Sequence, residues 1–574
     1  MPSCRASLAL ALALGVVALG CAAPVPSAQV GGTSPAGAPV ASPTGSGALK
    51  RLTVGTIRQP DLHPGAATPA QTVNPLVSSG LSATDAHGGL HALLATAVPS
   101  LDNGLWVLNP DGTMVTTYPL HATATWHDGT PLTADDLLFS LQVGMEPGMS
   151  AFASPGQSYI AVATAPDPHT LRVTWSQPYI GADSLFSGFN FPSPLPRHLL
   201  EEPYRTDKTS LLDLSYWGAD FIGAGPFKLR EWVPGERATV VANAAFVQGR
   251  PAIDEITVQF IPDVNTLAAN LEAGTVDVSG NAGSVDDGLA LQSRWRDGTV
   301  VFDPASGSWV AVYPQLSDPT PAIVGDLRFR TALLLATDRQ AIADALVGGK
   351  SLVPLSFLGP NQPQYAALEA TLPRYAYDPQ RAGQLIADLG YTKGGDGVYH
   401  DGEGQRLEVP LVSQPGDLPA SLATTIADAW QRLGVASTAT RLTPQQAADP
   451  KTVATFPAFY VSPHNDDLPA VGSFASAAAP LPTNNYRVSG APNSSRYVDP
   501  ALDRLIDRYF TTVPLPDRLD LLGQIVHVTT DQLTVMGYFY NPIVGAVAHR
   551  VAGVSAEWQG PIITWNVQEW DVTG

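Results

Sequence analysis

The run from Ile256 to Ser279 restricts the fold more than any other stretch of the chain. "ITVQFI" alternates as a half-buried strand does, "NTLAANLEAG" is a short helix ended by Gly274, and "TVDVS" is the next strand. Glycine suits that position because the residue just past a helix often turns left-handed, where a Cβ is penalised. Strand–helix–strand units in this order predict an α/β sheet whose faces are covered by helices. With 574 residues, 44% of them hydrophobic, the chain can bury a large core of that kind, in roughly two to four structural units. Cross-links add nothing to it. The two cysteines, Cys4 and Cys21, precede the strands and helices, so the folded body has no disulfide framework, cysteine zinc site or thiol nucleophile.

"TWHDGTPLTADDLLFSL", Thr125 to Leu141, gathers a His, three Asp and a Trp, the residue types of a catalytic or metal site. It also parses without chemistry. His121 to Trp126 alternates as a strand would, and Asp128-Gly129 is a strong turn pair. Thr133 is placed as an N-cap, with Asp136 three residues on to close a capping box. Asp135 and Asp136 fall in the first helical turn, where the helix dipole favours negative charge. Leu132 before the cap and Leu137 after it form a hydrophobic staple, and Leu137, Leu138 and Leu141 begin an apolar face. The stretch is read as scaffold.

The amino terminus reads as an address followed by a tether. Arg5 precedes an apolar run from about Leu8 to Leu19, short for a membrane span and suited to a signal peptide. Gly20-Cys21 at its end resembles a bacterial lipobox, which implies that residues 1–21 are a signal peptide with Cys21 as the lipid attachment site. Ala18 stands where that motif usually has Leu, and an ordinary cleaved signal peptide is the other reading. Residues 22–50 hold no aromatic residue and one charge, Lys50, so they are read as a disordered linker with a reach of roughly 30 Å. The net charge of −20 argues against nucleic acid, whose phosphates demand clustered Lys and Arg.

From Thr125 onward a resemblance accumulates in order along the chain. "TWHDGTPLTADDLLFSL", "DPHTLRVTWSQPY", "GAGPFKLREWVPGERATVVAN", "AIDEITVQFIPDVNTLAANLEAGTVDV", "LRFRTALLLATDRQAIADALVGG", "YAYDPQRAGQLIADLGY" and "YVDPALDRLID" are similar to successive segments of the extracellular solute-binding proteins of family 5, the peptide/nickel class that serves ABC importers. The resemblance spans residues 51 to 574. It implies a two-lobed, periplasmic-binding-protein-like α/β fold of type II with an extra inserted subdomain. Lobe I would take 51–78, 215–302 and 543–574, the inserted subdomain 79–214, and lobe II 303–542. Asp338-Arg339, read as mid-helix, is either a ligand clamp or an internal ion pair orienting two helices. Trp558, Trp565 and Trp570 are expected to pack the returning strand onto lobe I.

The resemblance also implies a ligand held between lobes that close by hinge motion. In peptide-binding relatives a late extended segment supplies backbone pairing and an Asp for the ligand's amino terminus. The matching segment here, "FPAFYVSPHNDDLPAVGSF", carries Val461-Ser462-Pro463-His464 in place of the usual Asp-Tyr-x-x-Pro, and Pro463 removes a backbone donor. The ligand-binding candidates are Trp309, Tyr460, Ser462, His464, Asp466 and Tyr486, whose aromatic faces and polar edges suit a solute of varied side chains. His464 with Asp466 and Asp467 has metal-ligand chemistry, although three adjacent loop residues more often face water. No metal, cofactor or catalytic residue is assigned. The expected role is a monomeric, lipid-anchored extracytoplasmic receptor that passes a peptide or other small solute to ABC permease subunits. A same-fold envelope regulator or sensor is the alternative. A secreted hydrolase is disfavoured, since no Gly-x-Ser-x-Gly, His-Glu-x-x-His or Gly-rich phosphate loop occurs.

Overall fold

The computed structural model describes residues 49–573 apart from 60–61, 64–71, 150–151, 153–155, 188–192, 305–307, 466–467, 489 and 556–561. The signal peptide, Cys21 and the linker up to residue 48 lie outside the described residues. From Leu49 to Gly574 the chain forms one compact unit.

Two mixed sheets organise it. The first has seven strands, in spatial order Gly298–Asp303, Ile543–Ala548, Val278–Ser279, Arg51–Thr56, Glu255–Phe260, Arg237–Ala242 and Phe227–Val233. Arg51–Thr56 runs parallel to both of its neighbours, and the remaining pairs are antiparallel. The second has five strands, ordered Ala436–Arg441, Glu408–Ser413, Phe459–Asn465, Ser308–Pro314 and Met536–Tyr540. The strand–helix–strand unit expected from Ile256 on is present: Glu255–Phe260, the helix Val264–Glu272, then Val278–Ser279. Gly274 lies just past that helix with φ +69°, the left-handed stop expected of a glycine there. The chain crosses between the sheets after Asp303 and returns after Tyr540, and the two crossings touch, with Asn541 N–H donating to Ser308 O at 2.9 Å.

Residues between Arg51–Thr56 and Phe227–Val233 build a separate antiparallel layer, Trp106–Leu108, Met114–Pro119, Thr170–Trp175 and Ile160–Asp167, plus a small hairpin of Ser82–Thr84 with Leu90–Ala92. This insert has its own core around Trp126, Leu137, Leu141, Trp175 and Phe186. The helix Ala134–Met145 starts as its sequence dictates. Asp136 Oδ2 accepts from Thr133 N–H at 2.8 Å, and its Oδ1 accepts from Arg197 N–H at 2.9 Å, tying the helix to the start of Arg197–Thr206. Leu132 and Leu137, the two halves of the staple, are buried in the same core. One expectation fails locally: His121–Trp126 is not a strand. The strand ends at Pro119, and Ala124 N–H turns back to His121 O at 3.0 Å. Beyond Ala124 the chain enters a tight turn, closed by Trp126 N–H on Thr130 O at 2.8 Å. Ala124 and Trp126 alternate onto the core because Thr125 between them forms an isolated antiparallel bridge with Pro131.

The stretch fastens the insert to the larger sheet through His127. Its backbone N–H donates to Gly223 O at 2.9 Å, its Nδ1 accepts from Gly223 N–H at 3.2 Å, and its Nε2 donates to Gly225 O at 3.1 Å. Gly223 and Gly225 belong to the Gly-x-Gly-Pro element, and their lack of side chains has a direct reason. A Cβ on Gly223 would overlap Val77 O, and one on Gly225 would overlap the backbone of Val77 and Ser78. Three segments distant in sequence thus meet backbone to backbone, with Gly225 N–H donating to Val77 O at 3.0 Å. Asp128 completes the turn and pairs with His198 at 2.7 Å. Neither His127 nor Asp128 belongs to a cluster of metal-ligating side chains among the described residues.

A second fastening ties the chain's return to its beginning. Arg550 donates Nε and Nη2 to the two oxygens of Asp277 at 2.6 and 2.7 Å, and Asp277 also accepts from Thr53 N–H at 2.8 Å. The Asp277 side chain is 4% exposed and the Arg550 side chain 45%.

Asp338-Arg339 corrects the sequence reading. The expected single helix is two, Leu327–Leu335 and Arg339–Leu346, and Asp338 sits between them as the N-cap of the second, accepting from Ala341 N–H at 3.0 Å. An aspartate whose short side chain can bond the backbone ahead of it favours starting a helix over continuing one. Arg339 is buried and makes no ion pair among the described residues. Its guanidinium donates to three carbonyls, Gly537 O at 2.9 Å, Tyr375 O at 3.1 Å and Pro354 O at 3.2 Å.

These fastenings set how stability responds to pH and to loss of charge. Burial pushes the His127 pKa down to about 4, against the opposing hydrogen bond to Gly225. The unfolded chain therefore takes up a proton near pH 6.5 that the folded one refuses. Stability is full above pH 6.5 and falls toward pH 4, by up to about 3 kcal/mol for this group. His464, also depressed to about 4 by burial, acts in the same direction. Urea midpoints measured across that range should show the fall, and His127→Gln should flatten it. Arg550→Ala leaves a buried carboxylate short of its counter-charge and should cost about 3 kcal/mol in the same assay, the low end for such pairs because the arginine is part-exposed. A double variant with Asp277→Asn should cost less than the sum of the two.

Candidate functional site

The same backbone junction shapes a cavity. Val77–Ser78, held against Gly223–Gly225, is the end of the short helix Asn74–Val77, and the chain then runs through Ser79 and Gly80 into the hairpin strand Ser82–Thr84. Beside it lies a cavity of about 60 Å³. Asn74, Pro75, Ser78 and Pro226 line it from the larger-sheet side. Ser79, Gly80, Ser82 to Thr84, Leu93, Ser187 and Ser193 line it from the insert, and Ile562, Trp565 and Gln568 from the returning C-terminal segment. Six lining side chains carry hydroxyls, Asn74 and Gln568 carry amides, and none of the described lining residues is charged.

The polar groups of this cavity are incompletely satisfied. Ser82 Oγ, Ser187 Oγ and Trp565 Nε1 are buried and find no hydrogen-bond partner among the described residues. Buried polar atoms without partners are rare in folded proteins, because each forfeits its hydration with nothing in return. Here all three belong to residues that line one cavity, although the atoms themselves are covered. Trp565 is further fixed from outside by His91, whose ring lies 5.9 Å from the indole. His91 is in turn held by Asp85 at 2.7 Å, and Asp85 also accepts from the backbone of His87 and Gly89 at 2.9 and 2.8 Å. The Asp85 carboxyl lies below its ordinary pKa because His91 and these loop N–H groups outweigh the opposing effect of burial. The same loop reaches the segment before Pro363, where Asn361 Nδ2 donates to Ala86 O at 2.9 Å.

The sequence-derived candidates sit elsewhere. Trp309, Tyr460, Ser462 and His464 are brought together on one face of the five-stranded sheet, where Trp309 is directly opposite His464 and Tyr313 opposite Tyr460. Trp309 and Tyr460 are buried there, Trp309 against the Gly537 backbone and Tyr460 stacked on Phe456 at 5.4 Å. Burial raises the Tyr460 hydroxyl to about 12. Ser462 Oγ donates to Gln414 Oε1 at 2.8 Å. His464 is half-buried, 4.5 Å from the Tyr313 ring and 3.3 Å from Ser494 Oγ. Tyr486 lies in a turn at φ +59°, apart from the other four in the fold, with its N–H on Leu481 O at 2.9 Å. Asp466 and Asp467 lie outside the described residues. None of the placed candidates lines the cavity.

Of the C-terminal tryptophans, Trp570 packs as expected, fully buried with Nε1 on Asn566 Oδ1 at 2.9 Å, and Trp558 lies outside the described residues. Trp565 packs partly on the core and also forms the cavity wall, a role that sequence reading did not assign. The one signal in the sequence was "NPLVSSGLSAT", four hydroxyls crowded into an apolar run with no cap or turn to use them all.

Two sheets joined by paired crossings, an inserted subdomain and a cavity of unpaired hydrogen-bonding groups define a two-lobed periplasmic-binding-protein-like fold. Residues 96–484 match the bacterial extracellular solute-binding proteins, family 5, and the chain belongs to that family. The oligopeptide-binding protein AppA of Bacillus subtilis is 24% identical over 393 residues, 67% of each chain. An ABC transporter peptide-binding protein of Brucella ovis is 26% identical over 272 residues, and the chain spans only 48% of its length. The substrate-binding protein CtaP of Listeria monocytogenes superposes with a TM-score of 0.73 at 19% identity, covering 92% of this chain and 100% of that one. The family and these relatives are substrate-binding proteins of transport systems.

The burial of the sheet face gives a direct expectation. Tyr460→Ala should lower folding stability by about 3 kcal/mol or more, the cost of emptying an aromatic site in a packed core. Denaturant unfolding would read this, and an unchanged midpoint would place the ring at an accessible surface.

Proposed function

We propose that this protein is an extracytoplasmic receptor of an ABC importer. In this reading it captures a peptide or peptide-like solute between its lobes and presents it to permease subunits. The observation that carries the reading is the pair of sheets joined by two short crossings, in a chain whose residues 96–484 match the solute-binding family. The touching crossings at Ser308 and Asn541 are suited to a hinge, because a pair of short connections concentrates the backbone rotation of closure. The lobe boundaries read from the sequence, 302/303 and 542/543, are proposed as that hinge. Asn361 on Ala86, and Ile180 N–H on Phe510 O at 3.1 Å, are contacts of the insert that such closure would make or break.

Cys21 is proposed as the lipidated residue, with residues 22–50 as the leash. Among the described residues no helix is long and apolar enough to cross a membrane. Tyr460, Ser462, His464, Asp466, Trp309 and Tyr486 are retained as the lobe II contribution, with the buried members supporting the face and the half-buried His464 and Tyr486 reaching the solute. Pro463 at the clamp position argues for a ligand whose amino terminus is gripped otherwise.

Mass spectrometry of compounds that co-purify with residues 49–574, followed by thermal shift with the compound found, tests the receptor role. A ligand bound only by the folded state, added at a hundredfold its Kd, should stabilise by about 2.7 kcal/mol. Absence of any shift across peptides, saccharides and metal chelates would end the reading. Cys21→Ala should move the full chain from the membrane to the soluble fraction, and its retention there would remove the lipid anchor.

A further inference from the structure

The insert is fastened to the larger sheet at His127, and it also meets the part of the chain built on the five-stranded sheet, at Ile180 and again at its hairpin loop. We propose that these two meeting points form a clasp, released and re-formed as one unit while the His127 fastening stays intact. The bearing of the clasp on solute capture rests on the receptor reading above.

The first meeting point is an exchange of side chains between cores. Ile180, on the insert, packs against the core that holds Tyr509 and Leu521 of the five-stranded part. Val513, between the helices Pro500–Thr511 and Leu515–Asp531, is 6% exposed and belongs in return to the core of the insert, with Trp175 and Phe186. A backbone bond runs beside the exchange, Ile180 N–H donating to Phe510 O at 3.1 Å. Phe510 lies in the last turn of its helix, where carbonyls have no partner within the helix, and the insert supplies one. Charge reaches across as well. Burial pushes the Asp183 carboxyl of the insert up to about 6, and Arg518 of the helix Leu515–Asp531 opposes that shift.

The second meeting point is polar. Asn361 Nδ2 donates to Ala86 O at 2.9 Å, and His87 Nδ1 lies 3.3 Å from Asn361 O. Asp85 gives the loop its shape from within, accepting from His87 N–H and Gly89 N–H, so the loop meets Asn361 already formed.

The two sides of the insert are held very differently. Toward the larger sheet, His127 makes three hydrogen bonds, and the backbone at Gly223 and Gly225 is too close to its neighbours to admit a Cβ. Toward the five-stranded part, each meeting point centres on one hydrogen bond to a backbone carbonyl, with Ile180 and Val513 as an apolar grip at one of them. Segments held by few buried contacts open at free energies well below that of global unfolding. Both meeting points join the same two parts of the chain. A rotation that separates those parts breaks both, and weakening one raises the population in which the other is open.

That coupling is the test. Hydrogen exchange read by mass spectrometry, with fragmentation that resolves single amides, would follow Ile180 N–H as the reporter and His127 N–H as the control. In the unaltered protein Ile180 should exchange faster than His127. Asn361→Ala removes a hydrogen bond at the other meeting point and should speed exchange at Ile180 roughly fivefold. Val513→Ala shortens the apolar grip and should speed it roughly tenfold. The amides of His127 and of the helix Ala134–Met145 should keep their rates in both variants. Equal rates at Ile180 and His127 in the unaltered protein overturn the clasp, since the contact would then open only with the whole fold. A response to Val513→Ala without one to Asn361→Ala overturns it too, because the two meeting points would be independent. A parallel rise in the helix Ala134–Met145 also overturns it, showing a loosened insert core. In each of those cases a co-purified solute that still binds leaves the receptor reading standing, whereas a clasp that opens as expected in a protein that binds no solute removes that reading alone.

Discussion

The structure depends on a place where three stretches of backbone come closer than side chains allow. Gly223 and Gly225 lie against the end of the helix Asn74–Val77, and the His127 ring is inserted between their peptide groups as both donor and acceptor. A neutral imidazole is required for this, since the protonated ring has no lone pair for Gly223 N–H. Burial supplies it by holding the ring's pKa near 4. The insert, the entry to the strand Phe227–Val233 and the floor of the cavity are all referenced to that point. The His-Asp-Gly stretch that looks like chemistry is thus a fastening, with a cavity beside it.

The cavity carries the opposite arrangement. At the junction every polar group of His127 is satisfied, whereas a few residues away Ser82, Ser187 and Trp565 are buried without partners. Folding tolerates such a defect because the surrounding cores are large: one runs continuously through both sheets, and the insert and the five-stranded sheet add their own. Rigid neighbours maintain it, with Trp565 braced by His91 and Asp85 on the hairpin loop.

The returning C-terminal segment links the two arrangements. Ile543–Ala548 enters the larger sheet between Gly298–Asp303 and Val278–Ser279, Arg550 locks it to Asp277, which also holds Thr53, and Ile562, Trp565 and Gln568 then close one wall of the cavity. The discontinuous layout therefore has a physical consequence for the site: its walls come from residues nearly five hundred positions apart, Asn74 and Gln568, and form only once the sheet has assembled.

What the sequence determined by itself is local or repetitive. The Thr133–Asp136 capping box, the Leu132–Leu137 staple, the stop at Gly274 and the strand–helix–strand order act over a handful of residues, where spacing alone fixes the hydrogen bonds. The family followed from such units in sequence. Tertiary structure decided the rest. Arg339 looks like half of an ion pair until the fold surrounds it with three carbonyls, and Trp309 and Tyr460 look like ligand platforms until the sheet face is covered. Trp565 reads only as a packing residue and Ser82 only as one hydroxyl of a crowded run, until the fold leaves their polar atoms without partners. Whether a polar atom is satisfied depends on every neighbour in space, and most of those neighbours are remote in the chain, so no spacing rule can announce it.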